Sequence, residues 1–188
     1  MPMPVTIHET AIPGALVVET GIARDERGHF TEVYSELTFD QAGFSAHFMQ
    51  DNLSMSRKGV LRGLHYQINP HAMGKFVRVL QGSVFDVAVD LRQGSPTFGQ
   101  WIGETLSAEN ARALWVPEGL AHGFLALEDD TLALYKCTGV HTPEAERAVA
   151  YNDPDIGVAW PIEPTLISGK DKAAPLLREA EHNFTYGE

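Results

Sequence analysis

Apolar and polar residues alternate along this chain in short stretches, with turn-forming residues between them. The stretches that predict strands are Leu16–Glu19, His29–Tyr34, His47–Leu53, Gly59–Tyr66, Lys75–Leu80, Val84–Leu91, Gly99–Leu106, Ala113–Val116, Ala121–Ala126 and Leu132–Cys137. Each is rich in Val, Leu, Phe, Tyr or Trp and is broken by Gly, Pro, Asn or Asp. The period of two is clearest over Val84–Leu91. There Val84, Asp86, Ala88 and Asp90 point one way, and Phe85, Val87, Val89 and Leu91 the other. Gln81-Gly82-Ser83 reads as a hairpin turn, where glycine takes positive φ without a Cβ clash. Helical signals are few. Ser35 to Gly43 fits two turns, with Ser35 as N-cap and Gly43 as stop. A second short helix is expected over Lys172–Ala180, with Leu176 and Leu177 on its apolar face. The stretch Asp153–Pro164 carries three prolines and little periodicity, and reads as a loop wrapped over the rest. Many short strands with little helix predict an all-β sandwich or barrel. No repeat, low-complexity tract or linker divides the 188 residues, so one domain over 1–188 is expected.

Charge narrows the choice of partners. Lys plus Arg number 14 against 25 Asp plus Glu, a formal net charge of −11. That balance argues against nucleic acid as a partner, since such binding draws on Lys and Arg contacts to phosphates. It leaves room for a small anion held by a few local arginines. The single cysteine, Cys137, excludes an intrachain disulfide and a Cys-rich zinc site. No apolar run approaches the roughly 18 residues of a membrane span. The opening MPMPVTIHET lacks the basic and apolar segments of a signal peptide. These features predict a cytoplasmic protein with no membrane partner.

The densest polar constellation is Gly59-Val-Leu-Arg-Gly-Leu-His-Tyr-Gln67. In a regular strand Arg62, Leu64 and Tyr66 share one face, and Leu61, Gly63, His65 and Gln67 the other. A lone His65 is most often a satisfied core histidine. His122, which opens another strand after a turn, makes a shared polar interior the better reading.

The motifs Asp25-Glu-Arg-Gly-His-Phe-Thr-Glu32, Gln50-Asp-Asn-Leu-Ser54, Val60-Leu-Arg-Gly-Leu-His-Tyr-Gln67, Gly74-Lys-Phe-Val77 and Asp86-Val-Ala-Val-Asp-Leu-Arg92 follow one another along the chain. Later come Pro117-Glu-Gly-Leu-Ala-His-Gly-Phe124, Tyr135-Lys-Cys-Thr138 and Ser168-Gly-Lys-Asp171. In this order the series resembles the dTDP-4-dehydrorhamnose 3,5-epimerase family over nearly the whole chain. The resemblance implies a cupin jelly-roll β-barrel with a few short helices, a homodimer, a dTDP-sugar substrate, and neither cofactor nor metal. It also implies roles. His65 matches the general base, Asp171 the carboxylate that orients it, Tyr135 the acid on the opposite face, and Lys75 the cation beside the C4 oxygen. Arg27 and Arg62 match diphosphate positions, Glu32 and Gln50 positions that shape the base pocket, and Asn52 and His122 further pocket positions. The residue types suit the chemistry: epimerising a carbon beside a ketone removes a carbon-bound proton, stabilises an enolate and returns a proton to the other face.

Two departures keep alternatives open. His29 stands where the family often has an aromatic residue, and Val140-His141 where it usually has two tyrosines. Epimerisation at C3 or C5 alone therefore remains an alternative. A metal-dependent cupin built on His65, His71 and His122 is a second, and a non-catalytic sugar-nucleotide binder a third.

Overall fold

A computed structural model describes residues 3–187, so the outermost residues of the 1–188 domain expectation lie outside the described part. The strands are β1 (Val5–Glu9), β2 (Leu16–Thr20), β3 (Ala23–Asp25), β4 (Gly28–Phe30), β5 (Gln50–Ser56), β6 (Val60–Gln67) and β7 (Lys75–Gln81). They continue as β8 (Ser83–Asp90), β9 (Trp101–Ser107), β10 (Arg112–Val116), β11 (Leu120–Ala126), β12 (Thr131–Cys137), β13 (Glu146–Ala148) and β14 (Leu166–Ile167). Two helices, α1 (Glu36–Gln41) and α2 (Gly169–Lys172), complete the elements used below.

One sheet runs β1-β2-β10-β7-β12-β5, and the other β13-β6-β11-β8-β9 with β14 parallel to β6. Neighbours in the sheets are mostly distant in sequence, and the two sheets face each other as a jelly roll. Between them Val77, Leu114 and Ala133 of the first sheet meet Val84, Ala88, Leu106 and Phe124 of the second. The second sheet is covered outside as well. Leu64, Tyr66, Val87 and Val89 pack under Ile156, Leu177 and Phe184 of the C-terminal tail. Strand β8 is consequently buried on both faces, although its sequence alternates. Each large apolar side chain so enclosed contributes about 1.5–3 kcal/mol.

The outer face of the first sheet carries Phe76 and Val18 under Phe39 and Phe44. Ser35 caps α1 by accepting the Thr38 N–H at 3.3 Å, and Gly43 ends the segment with φ +93°. Arg78 is buried on this face, with no carboxylate partner among the described residues. Its guanidinium donates to the carbonyls of Val33 (2.9 Å) and Ala111 (2.5 Å) and to the Thr20 hydroxyl, and burial pushes its pKa down to about 10.

Several elements differ from the expectations. The strand expected over His29–Tyr34 stops at Phe30, and the Val33 carbonyl is taken by Arg78 rather than by a ladder. The strand expected over His47–Leu53 starts later and runs from Gln50 to Ser56, paired with β12. The helix expected over Lys172–Ala180 is absent. Helix α2 ends at Lys172, and Pro175, which has no N–H to donate, leaves only a turn around Leu177. The Leu177 N–H is donated to Asp153 Oδ2 at 2.6 Å instead, which presses that side chain onto the second sheet.

Candidate active site

Strand β6 breaks its own alternation. Arg62 pairs with Phe124 and His65 with His122, so Gly63 and Leu64 together oppose Gly123. This is a β-bulge, and it turns Arg62 onto the same inner face as His65. The expected separation of those two side chains onto opposite faces is thereby corrected. Gly63 has φ +132°, and a Cβ there would lie 2.5 Å from the Gly123 Cα. Only glycine satisfies both the dihedral and the close approach.

A cavity of about 580 Å³ opens between the sheets over this bulge, lined by Arg62, His65, Lys75, His122, Tyr135 and Asp171 among others. A second lobe of about 300 Å³ shares His65, Lys75 and Tyr135 with it and adds Gln50, Asn52, His141 and Glu146. The three shared residues mark the junction.

His65 Nε2 lies 2.6 Å from Asp171 Oδ1. Asp171 is buried, and its Oδ2 accepts the Gly63 N–H at 3.4 Å. Burial alone raises its pKa, but the hydrogen bonds from His65 and Gly63 outweigh it and hold the carboxyl below its ordinary value. Asp171 reaches His65 because α2 is short and sharply started: Ser168 Oγ accepts the Asp171 N–H at 3.1 Å. A carboxylate on one ring nitrogen fixes the tautomer and favours the imidazolium formed when the other nitrogen takes a proton.

Lys75 and Tyr135 come from the facing sheet, on β7 and β12. The Lys75 ammonium donates to the His65 carbonyl at 3.4 Å. Burial lowers its pKa, partly offset by Cys137, Asp86 and Glu146. Burial raises that of Tyr135, so its phenol stays protonated. His122 is buried with its Nε2 2.8 Å from Asp86 Oδ1.

Asp86 is one functional candidate that sequence reasoning missed. Its signal was present in the alternation of β8, which puts Asp86 on the inner face with Val84 and Ala88. Arg62 donates to Ser56 Oγ (3.1 Å) and the Met55 carbonyl (3.2 Å), and no carboxylate pairs with it among the described residues. Arg57 and Lys170, also unforeseen, add positive charge to the same cavity wall. Gln50 donates to Asn52 Oδ1 at 2.9 Å and accepts the His141 N–H at 3.0 Å, placing all three at the second lobe.

Two sequence-predicted residues are not brought to the cavity. Arg27 sits at the tip of the β3–β4 hairpin, exposed and paired with Asp25 at 2.5 Å. Glu32 follows that hairpin, with its Oε1 buried and without a hydrogen-bond partner. Nor does the alternative set of three histidines converge. His65 and His122 each face a carboxylate, whereas His71 is exposed outside both lobes, and no cluster suited to a metal occurs among the described residues.

The sequence profile of the dTDP-4-dehydrorhamnose 3,5-epimerases matches residues 9–179. The chain belongs to that family. It is 52% identical to the dTDP-4-dehydrorhamnose 3,5-epimerase of Salmonella typhimurium over 177 residues, which cover 93% of this chain and 96% of that one. Among solved structures it resembles a Legionella pneumophila dTDP-6-deoxy-D-glucose-3,5-epimerase in complex with dTDP-4-keto-L-rhamnose. There the TM-score is 0.88 and the identity 47%, with 94% of each chain covered. It also resembles a 3'-monoepimerase of Streptomyces bikiniensis in complex with dTDP-quinovose, with a TM-score of 0.85, 40% identity and 91% and 87% of the two chains covered. The family assignment makes this epimerase-family chain an isomerase with the cupin jelly roll of its relatives.

Proposed function

We propose that this epimerase converts dTDP-4-dehydro-6-deoxy-D-glucose to dTDP-4-dehydro-L-rhamnose by inverting C3 and C5, as a step of dTDP-L-rhamnose synthesis. The observation that carries the reading is His65 on one sheet, held by Asp171 of α2, with Lys75 and Tyr135 on the sheet facing it. His65 takes the proton from the carbon next to the C4 ketone, and the C–H electron pair passes into an enolate. Asp171 stabilises the imidazolium. The Lys75 ammonium faces the developing charge on the C4 oxygen. Tyr135 delivers a proton to the opposite face, which inverts the centre. Arg62, an inward guanidinium with no carboxylate partner among the described residues, suits the diphosphate. Gln50, Asn52 and His122 line the remaining walls.

A homodimer is part of this proposal. Strand β5 lies at the edge of its sheet and exposes Leu53 (62%) and Met55 (65%), apolar surface that a second copy would cover. Arg27 and Glu32, assigned by the resemblance to diphosphate and base, lie outside this chain's own cavity. One domain over the whole chain and a cytoplasmic setting complete the reading. The tail packs on the outer face of the second sheet, and no helix among the described residues is long and apolar enough to cross a membrane.

The test is incubation with dTDP-4-dehydro-6-deoxy-D-glucose in D₂O followed by NMR. Deuterium at C3 and C5 with inverted product supports the double reaction. Deuterium at one carbon alone assigns a mono-epimerase, and none at either removes the enzyme reading.

A further inference from the structure

Asp153 is buried to 1% exposure yet lines neither lobe of the cavity, so contact with substrate does not account for its burial. Its carboxylate is met by backbone alone. Oδ1 accepts the N–H groups of Asp155 (2.7 Å) and Ile156 (3.3 Å), and Oδ2 accepts that of Leu177 at 2.6 Å. The first two bonds shape its own turn. The third reaches across to the segment that leaves α2, six residues beyond Asp171. A further bond grips that segment two residues earlier, where the Pro175 carbonyl accepts the Ala150 N–H at 2.8 Å. The gripping stretch is itself tied to β6. Ala148 pairs with His65, and Val149 and Leu64 exchange hydrogen bonds of 3.0 and 3.4 Å. Asp171 is therefore held between two fixed points. On one side β14 pairs with Val60 and Leu61 of β6, and Ser168 caps α2. On the other, Ala150 and Asp153 hold Pro175 and Leu177. Helix α2 is a single turn, with too few internal hydrogen bonds to keep its own position between them.

We propose that Asp153 is a positioning residue of the epimerisation: by holding the Leu177 N–H it fixes the far end of the α2 segment and so keeps the Asp171 carboxylate on His65. This rests on His65 and Asp171 acting as proposed above. Both oxygens of a carboxylate accept, whereas an asparagine amide presents one acceptor and one donor. Asp153→Asn therefore turns an NH2 group against either the Leu177 N–H or the turn that carries the grip, at nearly unchanged volume. A displacement of about an ångström separates base from orienting acid and slows turnover. The walls of the cavity on β5, β6, β7 and β12 stay in place, so the loss falls on kcat rather than on nucleotide affinity.

The experiment compares Asp153→Asn with wild type on the full chain at saturating dTDP-4-dehydro-6-deoxy-D-glucose, with Asp155→Asn as an exposed neighbour of unchanged activity. Asp153→Asn should lower kcat and the rate of deuterium wash-in about tenfold, with dTDP affinity within about twofold of wild type. The calorimetric stoichiometry for dTDP should equal that of wild type; it counts folded chains, so lost kcat at full stoichiometry is not lost enzyme. In an Asp171→Asn background the same substitution should cost nothing further, because it acts through Asp171. Native kcat in Asp153→Asn overturns the inference. So does an equal loss in the Asp171→Asn background, or a loss matched by lower stoichiometry. If Asp153→Asn fails to fold, replacing the Leu177 N–H with an ester oxygen removes the donor alone and decides by the same loss or retention of kcat. Absence of wash-in in the wild-type protein refutes the epimerase reading itself, and native turnover in Asp171→Asn refutes the orienting role on which the inference rests.

Discussion

At the scale of the residue, burial shifts the proton affinities of the site's side chains in opposite directions. Lys75 is lowered from its ordinary 10.5 and Tyr135 raised from 10.0, both chiefly by burial. Burial thus eases the loss of the Lys75 proton and hinders that of Tyr135. The alkaline limb of the kcat profile should accordingly belong to Lys75, and Lys75→Arg should carry that limb upward. An unmoved limb in the Arg variant would assign it elsewhere. His65→Ala should abolish wash-in at both carbons while leaving dTDP binding intact by calorimetry. Asp171→Asn should cost at least about 100-fold in turnover, with a modest change in affinity. Tyr135→Phe keeps the ring but removes the proton, so exchange driven by His65 should persist while inverted product is lost. Native product formation by that variant would point to another donor on the opposite face.

At the scale of the element, β6 depends on a glycine to build the cavity floor. Gly63→Ala must accommodate a strained dihedral and a Cβ pressed on the Gly123 backbone. A cost of about 2 kcal/mol or more is expected, read as a lower denaturation midpoint, with Arg62 and His65 losing their common face. A variant with native stability and turnover would show that the bulge is dispensable. How far the local elements were legible follows the same logic. The Ser35 cap and Gly43 stop enclose α1 as read, because cap chemistry is local. The second helix was misplaced because an apolar pair, Leu176-Leu177, outweighed the stop at Pro175. Strands β13 and β14 carry three and two residues, too few for any period to register. They exist because β6 offers an edge to pair with.

For the whole molecule, two buried carboxylates tie folding to pH. Burial raises the pKa of Asp90, but hydrogen bonds from Arg92, Ser95 and Thr97 more than offset it, and the group is held below its ordinary 3.8. Asp171 is lowered from the same value. The unfolded chain therefore binds more protons than the folded one between the two pKa values. Stability present above pH ~4 is lost as pH falls through the folded-state values. Thermal unfolding at successive pH should give a Tm that drops below pH ~4, and Asp90→Asn should be less stable at neutral pH with a flatter acid dependence. A dimer should be visible by sedimentation at micromolar concentration. Replacing exposed Leu53 with Lys should dissociate it; a native monomer at all concentrations would leave the β5 edge without a partner.

Composition, alternation and turn residues were enough to point to an all-β sandwich or barrel, because burial on a pleated surface writes a period of two into the sequence. The ordered motifs were enough to identify the family and to name His65, Asp171, Lys75 and Tyr135. Which side chains meet was decided only by tertiary structure. The His65–Asp171 pair joins residues 106 positions apart, and no local pattern carries that distance. Arg62 reached the cavity through a bulge that a regular strand does not predict. Glu146 became visible only when β13 was set beside β6, and the pairing of Asp86 with His122 only when β8 was set beside β11. Arg27 and Glu32, read from motif alone, stayed outside the cavity for the same physical reason: a motif fixes residue type, while strand pairing fixes where the side chain goes.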